Sequence, residues 1–107
     1  MDGEAIIPLF PLELVLMPLM PLPLHIFEER YKLMIGECIE QKQEFGVVYQ
    51  DSGKMKKIGC TARIVQILRR FDDGRLDIMT QGASRFLTHR IYEDRSYLQA
   101  EVIYFDD

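Results

Sequence analysis

PLFPLELVLMPLMPLPLHIFEERY, from Pro8 to Tyr31, decides the fold of this chain, because it holds all five prolines of the sequence within a run of large apolar residues. A proline has no backbone N–H and fixes φ at about −65°, and it pushes the preceding residue out of the helical region. A continuous helix from Ala5 to His25 is therefore excluded. The stretch from Ala5 to Phe27 instead predicts two or three short strands with turns at the prolines, and a backbone too interrupted for a regular central strand.

A single helix is predicted directly after this stretch, over about residues 28–42. Glu28 and Glu29 put negative charge in its first turn, where the helix dipole favours it. Gly36 predicts close packing of the helix backbone against a neighbour. Apolar residues recur at the spacing of one helical face, at Tyr31, Met34, Ile35 and Cys38.

The chain after Phe45 has strand character. Strands are predicted at 45–49, 58–71, 76–79, 85–92 and 97–105, with turns at 51–53, 72–75 and 93–95. A solvated loop at 54–57 and a break at Gln81–Gly82 are expected between them. The predicted fold class is mainly β (α+β), an antiparallel, barrel-like β domain with one packed helix.

Composition and charge narrow the function classes. With 107 residues, 48% apolar and 28% charged, the chain is expected to form one soluble globular domain spanning residues 1–107. A net charge of −4 argues against a general nucleic-acid binder. Neither a signal peptide nor a membrane span is predicted, since the first residues are acidic and the apolar stretch carries Glu13 and the prolines, so a cytoplasmic location is expected.

Catalytic and metal chemistry are not predicted. The two histidines, His25 and His89, and the two cysteines, Cys38 and Cys60, have no metal-site or redox spacing, and the cysteines are expected to be buried, reduced thiols. None of the serines lies in a nucleophile elbow. We therefore expect no enzyme activity and no metal or other cofactor.

The same proline-rich opening carries a family resemblance. Its pieces IPLFPL (Ile7–Leu12), VLMP (Val15–Pro18) and LPLHIFEERY (Leu22–Tyr31) resemble the N-terminal, substrate-binding domain of Lon proteases. The later pieces follow in the family's order, at Phe45–Val48, Ile58–Ile64, Asp73–Arg75, Gln81–Gly82 and Arg85–Phe86. The resemblance implies a PUA-like pseudo-barrel with one helix, without the ATPase and peptidase of Lon. Relatives often have Pro-Gly where this chain has Pro18–Leu19, which leaves a positive-φ turn there in doubt.

Two groups of residues are singled out. The signature residues implied by the resemblance are interpreted as structural: Pro8, Pro11, Pro18, His25, Phe27, Glu28, Arg30, Tyr31, Gly46, Gly59, Gly82 and Arg85. Among them, Arg30 is expected to hold backbone carbonyls and Arg85 to form an ion pair on the sheet face. The candidates for polypeptide binding are flexible apolar residues, Met17, Leu19, Met20 and Leu22. The sequence leaves open whether these four form a surface patch or fill the core under the helix.

The function implied by the resemblance is that of a non-catalytic protein-recognition module that binds unfolded or hydrophobic polypeptide segments. The alternative is a scaffold domain that docks one folded partner, as the Lon-like domain of cereblon-type proteins does. RNA binding is suggested only by the PUA-like fold and is opposed by the acidic charge. Homo-oligomerisation is left open, and so is whether the chain is a short stand-alone relative or a truncated piece lacking a C-terminal helical segment.

Overall fold

Residues 4–105 are described by a computed structural model, in which they form six strands and one helix. In chain order the elements are β1 (Glu4–Leu12), β2 (Pro21–Ile26), α1 (Glu29–Gln41), β3 (Phe45–Asp51), β4 (Lys54–Arg70), β5 (Leu76–Tyr92) and β6 (Gln99–Tyr104). No helix formed by these residues is long and apolar enough to cross a membrane.

The strands bond in the order β2-β5-β4-β3-β1-β6, and a further pairing of β5 with β6 closes them into a ring. This confirms the predicted mainly-β pseudo-barrel with one helix. One pairing differs from the predicted antiparallel pattern, because β1 and β3 run parallel. The intervening β2 and α1 form the crossover that returns the chain in the same direction, as a parallel pair requires.

The two long strands, β4 and β5, contain segments that were expected to interrupt them. The predicted loop at 54–57 is wrong, since the left-handed residues Ser52 and Gly53 make a tight hairpin turn and Lys54 pairs at once with Asp51. The predicted break at Gln81–Gly82 is also wrong. β5 continues through it, with β2 bonded to its first half and β6 to its second half.

Pro8 and Pro11 lie inside β1, which is a central strand, so the prediction that prolines prevent one is wrong. The first half of β1 pairs with β6 and its second half with β3. The N–H of Leu9 donates to the carbonyl of Leu98, 2.8 Å away on the β6 side. Successive backbone nitrogens along a strand point to opposite sides. The nitrogen of Pro8 therefore points to the β3 side, at a position before the pairing with β3 begins. The nitrogen of Pro11 points to the β6 side, at a position after the pairing with β6 has ended. The two prolines therefore lack an N–H only at positions where no neighbouring strand would accept a hydrogen bond from it.

Pro21 and Pro23 lie in β2, the edge strand of the sheet. The N–H of Gly82 in β5 donates to the carbonyl of Met20 at 2.8 Å, so this carbonyl points to β5. The nitrogen of Pro21 belongs to the same peptide and points the opposite way, to the open edge, and the nitrogen of Pro23, two residues later, points to the same side. Proline is tolerated in sheets at such edge positions. Of the five prolines, only Pro18 lies in a turn.

The helix α1 has the predicted apolar face, with Met34, Ile35 and Cys38 buried. It ends at Gln41, after which Lys42 adopts a left-handed conformation with φ +54°. The expected close packing at Gly36 is wrong, because a Cβ built there would have no neighbour within 4 Å.

A polar cluster fixes α1 to the segment before β6. The Tyr97 hydroxyl donates to Glu37 Oε1, and Arg95 Nη2 donates to Glu37 Oε2 at 2.8 Å. These interactions, the Tyr97 hydrogen bond first, lower the pKa of Glu37. Burial and the neighbouring carboxylate raise the pKa of Tyr97 to about 12, so its hydroxyl stays a donor at neutral pH.

Candidate functional site

The loop of residues 13–20, which joins β1 to β2, lies directly on the backbone of β5. The Leu19 N–H donates to the carbonyl of Gly82 at 2.8 Å, and the Gly82 N–H donates back to Met20. A Cβ at position 82 would lie 2.0 Å from the carbonyl oxygen of Met17. Only glycine therefore allows the loop to dock here, which explains why Gly82 belongs inside a strand.

A tight turn at residues 17–20 forms the tip of this loop. The Met20 N–H donates to the Met17 carbonyl at 3.1 Å, Pro18 occupies the second position, and Leu19 occupies the third with φ +69°. This is the pattern of a type II turn, in which proline suits the second position and glycine the third. The positive-φ turn is therefore present although glycine is not. A leucine in that conformation costs roughly 1–2 kcal/mol.

The loop turns alternate side chains inwards and outwards. Leu16 is buried, whereas Val15 is 61%, Met17 51% and Leu19 76% exposed. Three large apolar side chains thus stand on one short, backbone-anchored segment.

The four sequence-predicted binding residues divide between surface and core. Met17 and Leu19 lie at the surface, and Met20 is partly buried against the core. Leu22 is only 6% exposed because β2 directs it inwards, so of the two alternatives left open by the sequence it takes the core position. Sequence reasoning missed Val15, although its alternation with Leu16 and Met17 was a usable signal.

A groove of about 670 Å³ runs between this loop and the strands β3, β4 and β5. Apolar side chains line most of it and three cations flank them; these residues are Val15, Leu16, Met17, Val47, Tyr49, Ile58 and Leu87, with Lys56, Lys57 and Arg85. Ile58 is 49% exposed, so the apolar surface continues from the loop onto β4.

Two signature glycines make room for the aromatic ring beneath the groove. A Cβ at Gly46 would lie 2.8 Å from Phe86 Cζ, and a Cβ at Gly59 would lie 2.5 Å from the Val47 carbonyl oxygen and 2.6 Å from the same ring. Phe86 is fully buried as a result.

Arg85 is the charged signature residue that lines the groove. Its guanidinium lies over the Phe105 ring, 5.3 Å from the centroid. The expected sheet-face ion pair is absent, since the ion pairs among residues 4–105 do not include Arg85.

The other charged and aromatic signature residues gather at the entrance to α1, away from the groove. His25 Nδ1 lies 2.5 Å from Asp77 Oδ1, and Phe27, itself 58% exposed, stacks on His25. Arg30 Nε donates to Glu28 Oε1 at 3.1 Å rather than to backbone carbonyls, which corrects that expectation. Tyr31 stacks on Phe10 with the ring centroids 4.1 Å apart. These contacts brace the start of the helix.

The nucleophilic side chains of the core are poorly suited to chemistry. Burial, with a smaller effect of Glu37, raises the pKa of the Cys38 thiol to about 12, and burial also raises the pKa of Cys60. Residues 4–105 contain no group of three or more His, Cys, Asp or Glu that could hold a metal ion. The groove beside the 13–20 loop therefore offers a ligand apolar contact area with cations at its rim.

Comparison with known proteins agrees with this geometry. Residues 6–107 match the family model described as the ATP-dependent protease La (LON) substrate-binding domain. A Lon protease of Anaeromyxobacter dehalogenans (strain 2CP-C) is 28% identical over 115 residues, which cover 99% of this chain but only 14% of that protein.

Two solved structures share the fold. A Lon N-terminal domain protein from Xanthomonas campestris superposes with a TM-score of 0.84 at 30% identity, over 95% of this chain and 60% of that one. The N-terminal domain of a Mycobacterium avium complex Lon protease superposes with a TM-score of 0.75 at 15% identity, over 96% and 56% of the two chains, and shows the fold alone. The chain belongs to the Lon substrate-binding domain family.

Proposed function

We propose that this chain is a protein-recognition module that binds unfolded or apolar polypeptide segments on the exposed 13–20 loop and in the groove beside it. The observation that carries the proposal is Leu19, a large apolar side chain held 76% exposed in a turn conformation that glycine would adopt at lower cost. Strained backbone positions of this kind concentrate at ligand clamps. The family's description as a protease substrate-binding domain supports a polypeptide as the ligand.

The expected affinity is modest. Burying a leucine- or methionine-sized side chain completely contributes about 1.5–3 kcal/mol, and Val15, Met17 and Leu19 are already between a quarter and a half buried. Their remaining exposed surface supplies roughly 3–6 kcal/mol before association costs are met. Association itself costs at least about 4 kcal/mol, so Ile58 and the groove floor must contribute as well, and we expect only weak, micromolar binding that allows many sequences to be bound and released.

The test is a titration of a fluorescently labelled, permanently unfolded protein, monitored by anisotropy, with parent, Leu19→Asp and Met17→Asp chains. Aspartate adopts positive φ more readily than leucine, so Leu19→Asp keeps the turn while it replaces the apolar contact with a charged group. Leu33→Asp is the matched control, since Leu33 is 46% exposed on α1 and outside the groove. We expect binding to weaken at least about fivefold for both loop variants, the equivalent of about 1 kcal/mol, and to be unchanged for Leu33→Asp.

Equal binding by the parent and Leu19→Asp chains would show that the loop is not the contact, and a parent that fails to bind in the micromolar range contradicts the proposal as a whole. The scaffold alternative predicts a different result. A single folded partner would then be recovered in stoichiometric amount from native extract, and its capture would not be displaced by unfolded protein.

A further inference from the structure

The second half of β4, Arg63–Arg70, has a strand neighbour on one side only. β3 accompanies β4 from Lys54 to Ala62, whereas β5 follows it to Arg70. Among residues 4–105 no strand pairs with the other side of this half, so its outward backbone groups are open. The C-terminal end of α1 faces this edge across a groove of about 450 Å³.

Two irregularities bring apolar side chains to the surface along this edge. The register between β4 and β5 slips at Val65 and again at Leu68, each an extra residue on β4. A β-bulge of this kind twists the strand and re-aims a side chain. Val65 is 43% exposed and lines the groove together with Ile39 of α1, whereas Leu68, 50% exposed, directly follows the last lining residue of β4.

The charge along β4 is of one sign. The strand contains three lysines and three arginines and neither Asp nor Glu, in a chain whose net charge is −4. Arg63 donates to the neutral Gln81, and Arg69 lies over the Phe71 ring. Neither of these arginines, nor Arg70, joins an ion pair among the described residues. The groove beside them is also lined by Lys42 and by one carboxylate, Glu44. Cations therefore outnumber anions along this edge, and their charge favours an external carboxylate.

We propose that this edge, with the end of α1, docks an extended segment of a partner protein in which acidic and large apolar residues alternate. The apolar side chains of that segment would cover Val65, Leu68 and Ile39, and its carboxylates would meet Arg63 and Arg70. The proposal rests on charge complementarity and does not depend on the proposed function, because the two grooves share no lining residue.

Other occupants fit this edge less well. In an antiparallel pairing with a second copy, centred on the same stretch, Arg63 would lie opposite Arg70, and like charges in that position are destabilising. Single-stranded nucleic acid is usually held by aromatic stacking as well as charge, whereas Val65 and Leu68 are aliphatic. An acidic and apolar peptide satisfies both the charge and the exposed side chains.

The experiment uses a labelled peptide of about eight residues, one strand length, in which Glu and Leu alternate. A second peptide carries Lys in place of each Glu, and an oligouridine of similar length tests for RNA. The protein variants are Arg63→Glu with Arg70→Glu and, as the matched charge reversal on the same strand, Lys56→Glu with Lys57→Glu in the other groove. Thermal unfolding of both variants checks that the fold is retained.

We expect the Glu–Leu peptide to bind the parent and to bind the arginine double variant at least about tenfold more weakly. The lysine double variant should lose clearly less affinity, although its groove also offers the peptide apolar and cationic surface. The proposal is overturned if the lysine variant is the one that loses binding, or if the Lys-substituted peptide or the RNA binds better than the acidic peptide. It is equally overturned if the parent binds none of the three.

Discussion

Replacing Leu19 by glycine or by alanine separates backbone strain from side-chain contact. Both substitutions remove the same exposed side chain beyond Cβ, but only glycine adopts φ +69° without cost. In ordinary positions glycine is less stable than alanine by roughly 0.5–1 kcal/mol, whereas at positive φ an L-residue costs roughly 1–2 kcal/mol. The difference favours Leu19→Gly over Leu19→Ala by about 0.5–1 kcal/mol, a reversal of the usual order.

The comparison with the parent follows from the same structure. Leu19 is 76% exposed, so removing it forfeits about a quarter of the burial free energy of a leucine, or roughly 0.5 kcal/mol. We expect Leu19→Ala to unfold about 0.5 kcal/mol more easily than the parent, and Leu19→Gly to equal or slightly exceed the parent. Urea unfolding at constant m-value measures both differences.

Leu33 provides the control position, because it is exposed in the helix α1. There the alanine variant should be the more stable by about 1 kcal/mol, the ordinary helix propensity difference. If the glycine variant at position 19 is also the less stable of its pair, the turn is not strained and the reasoning about Leu19 fails. Under the proposed function both Leu19 variants lose affinity for unfolded polypeptide, so Leu19→Gly would bind less while being no less stable.

Two further perturbations test how the loop and the helix are held. Gly82→Ala should lower the free energy of unfolding by at least about 2 kcal/mol, because the new Cβ would lie 2.0 Å from the Met17 oxygen and two backbone hydrogen bonds would be lost. Gly36→Ala is the control, because the added Cβ has no neighbour within 4 Å, and it should stabilise the fold by about 0.5–1 kcal/mol. Limited proteolysis should cut within residues 13–20 in the Gly82 variant and not in the Gly36 variant. The lowered pKa of Glu37 means that its carboxylate stabilises the fold above its ordinary pKa, and this contribution is lost as the pH falls through the lowered value. Tyr97→Phe removes the main cause, so urea unfolding between about pH 5 and pH 3 should show a shallower loss of stability than in the parent, and an equally steep loss would contradict this assignment.

The parts of the fold that could be predicted from the sequence are those whose conformation depends only on residues close to them in the chain. The apolar face of Met34, Ile35 and Cys38 needs only helical periodicity, and the turn at Asp73–Gly74 needs only a residue that accepts positive φ, here Gly74 at +93°. The misread segments depend on distant partners. Whether a strand tolerates Pro8 depends on where its neighbour stops, and Gly82 resembles a break until the Met17 carbonyl is known to lie against it.

The types of residue at the candidate site could be predicted from the sequence, but the direction in which each side chain points could not. An excess of flexible apolar residues in the loop drew attention to Met17 and Leu19, which are exposed, but the same criterion also selected Leu22, which β2 turns into the core. Alternation decides which side chains emerge, and alternation begins only where a strand or a docked loop has a defined register. Val15 was missed because a criterion of side-chain flexibility passes over a β-branched residue.

The contacts that hold the 13–20 loop in place also make the strained backbone at Leu19 tolerable. Pro18 restricts the unfolded chain, Leu16 is buried beneath the loop, and the reciprocal hydrogen bonds with Gly82 hold the backbone on β5. Together these offset a turn conformation that costs Leu19 roughly 1–2 kcal/mol. A side chain that is held in place before a partner arrives loses less conformational entropy on binding than one on a mobile loop. Under the proposed function, the same contacts that make the strain tolerable would make Leu19 an effective anchor, and a variant that relaxes the docking at Gly82 should weaken polypeptide binding even with Leu19 intact.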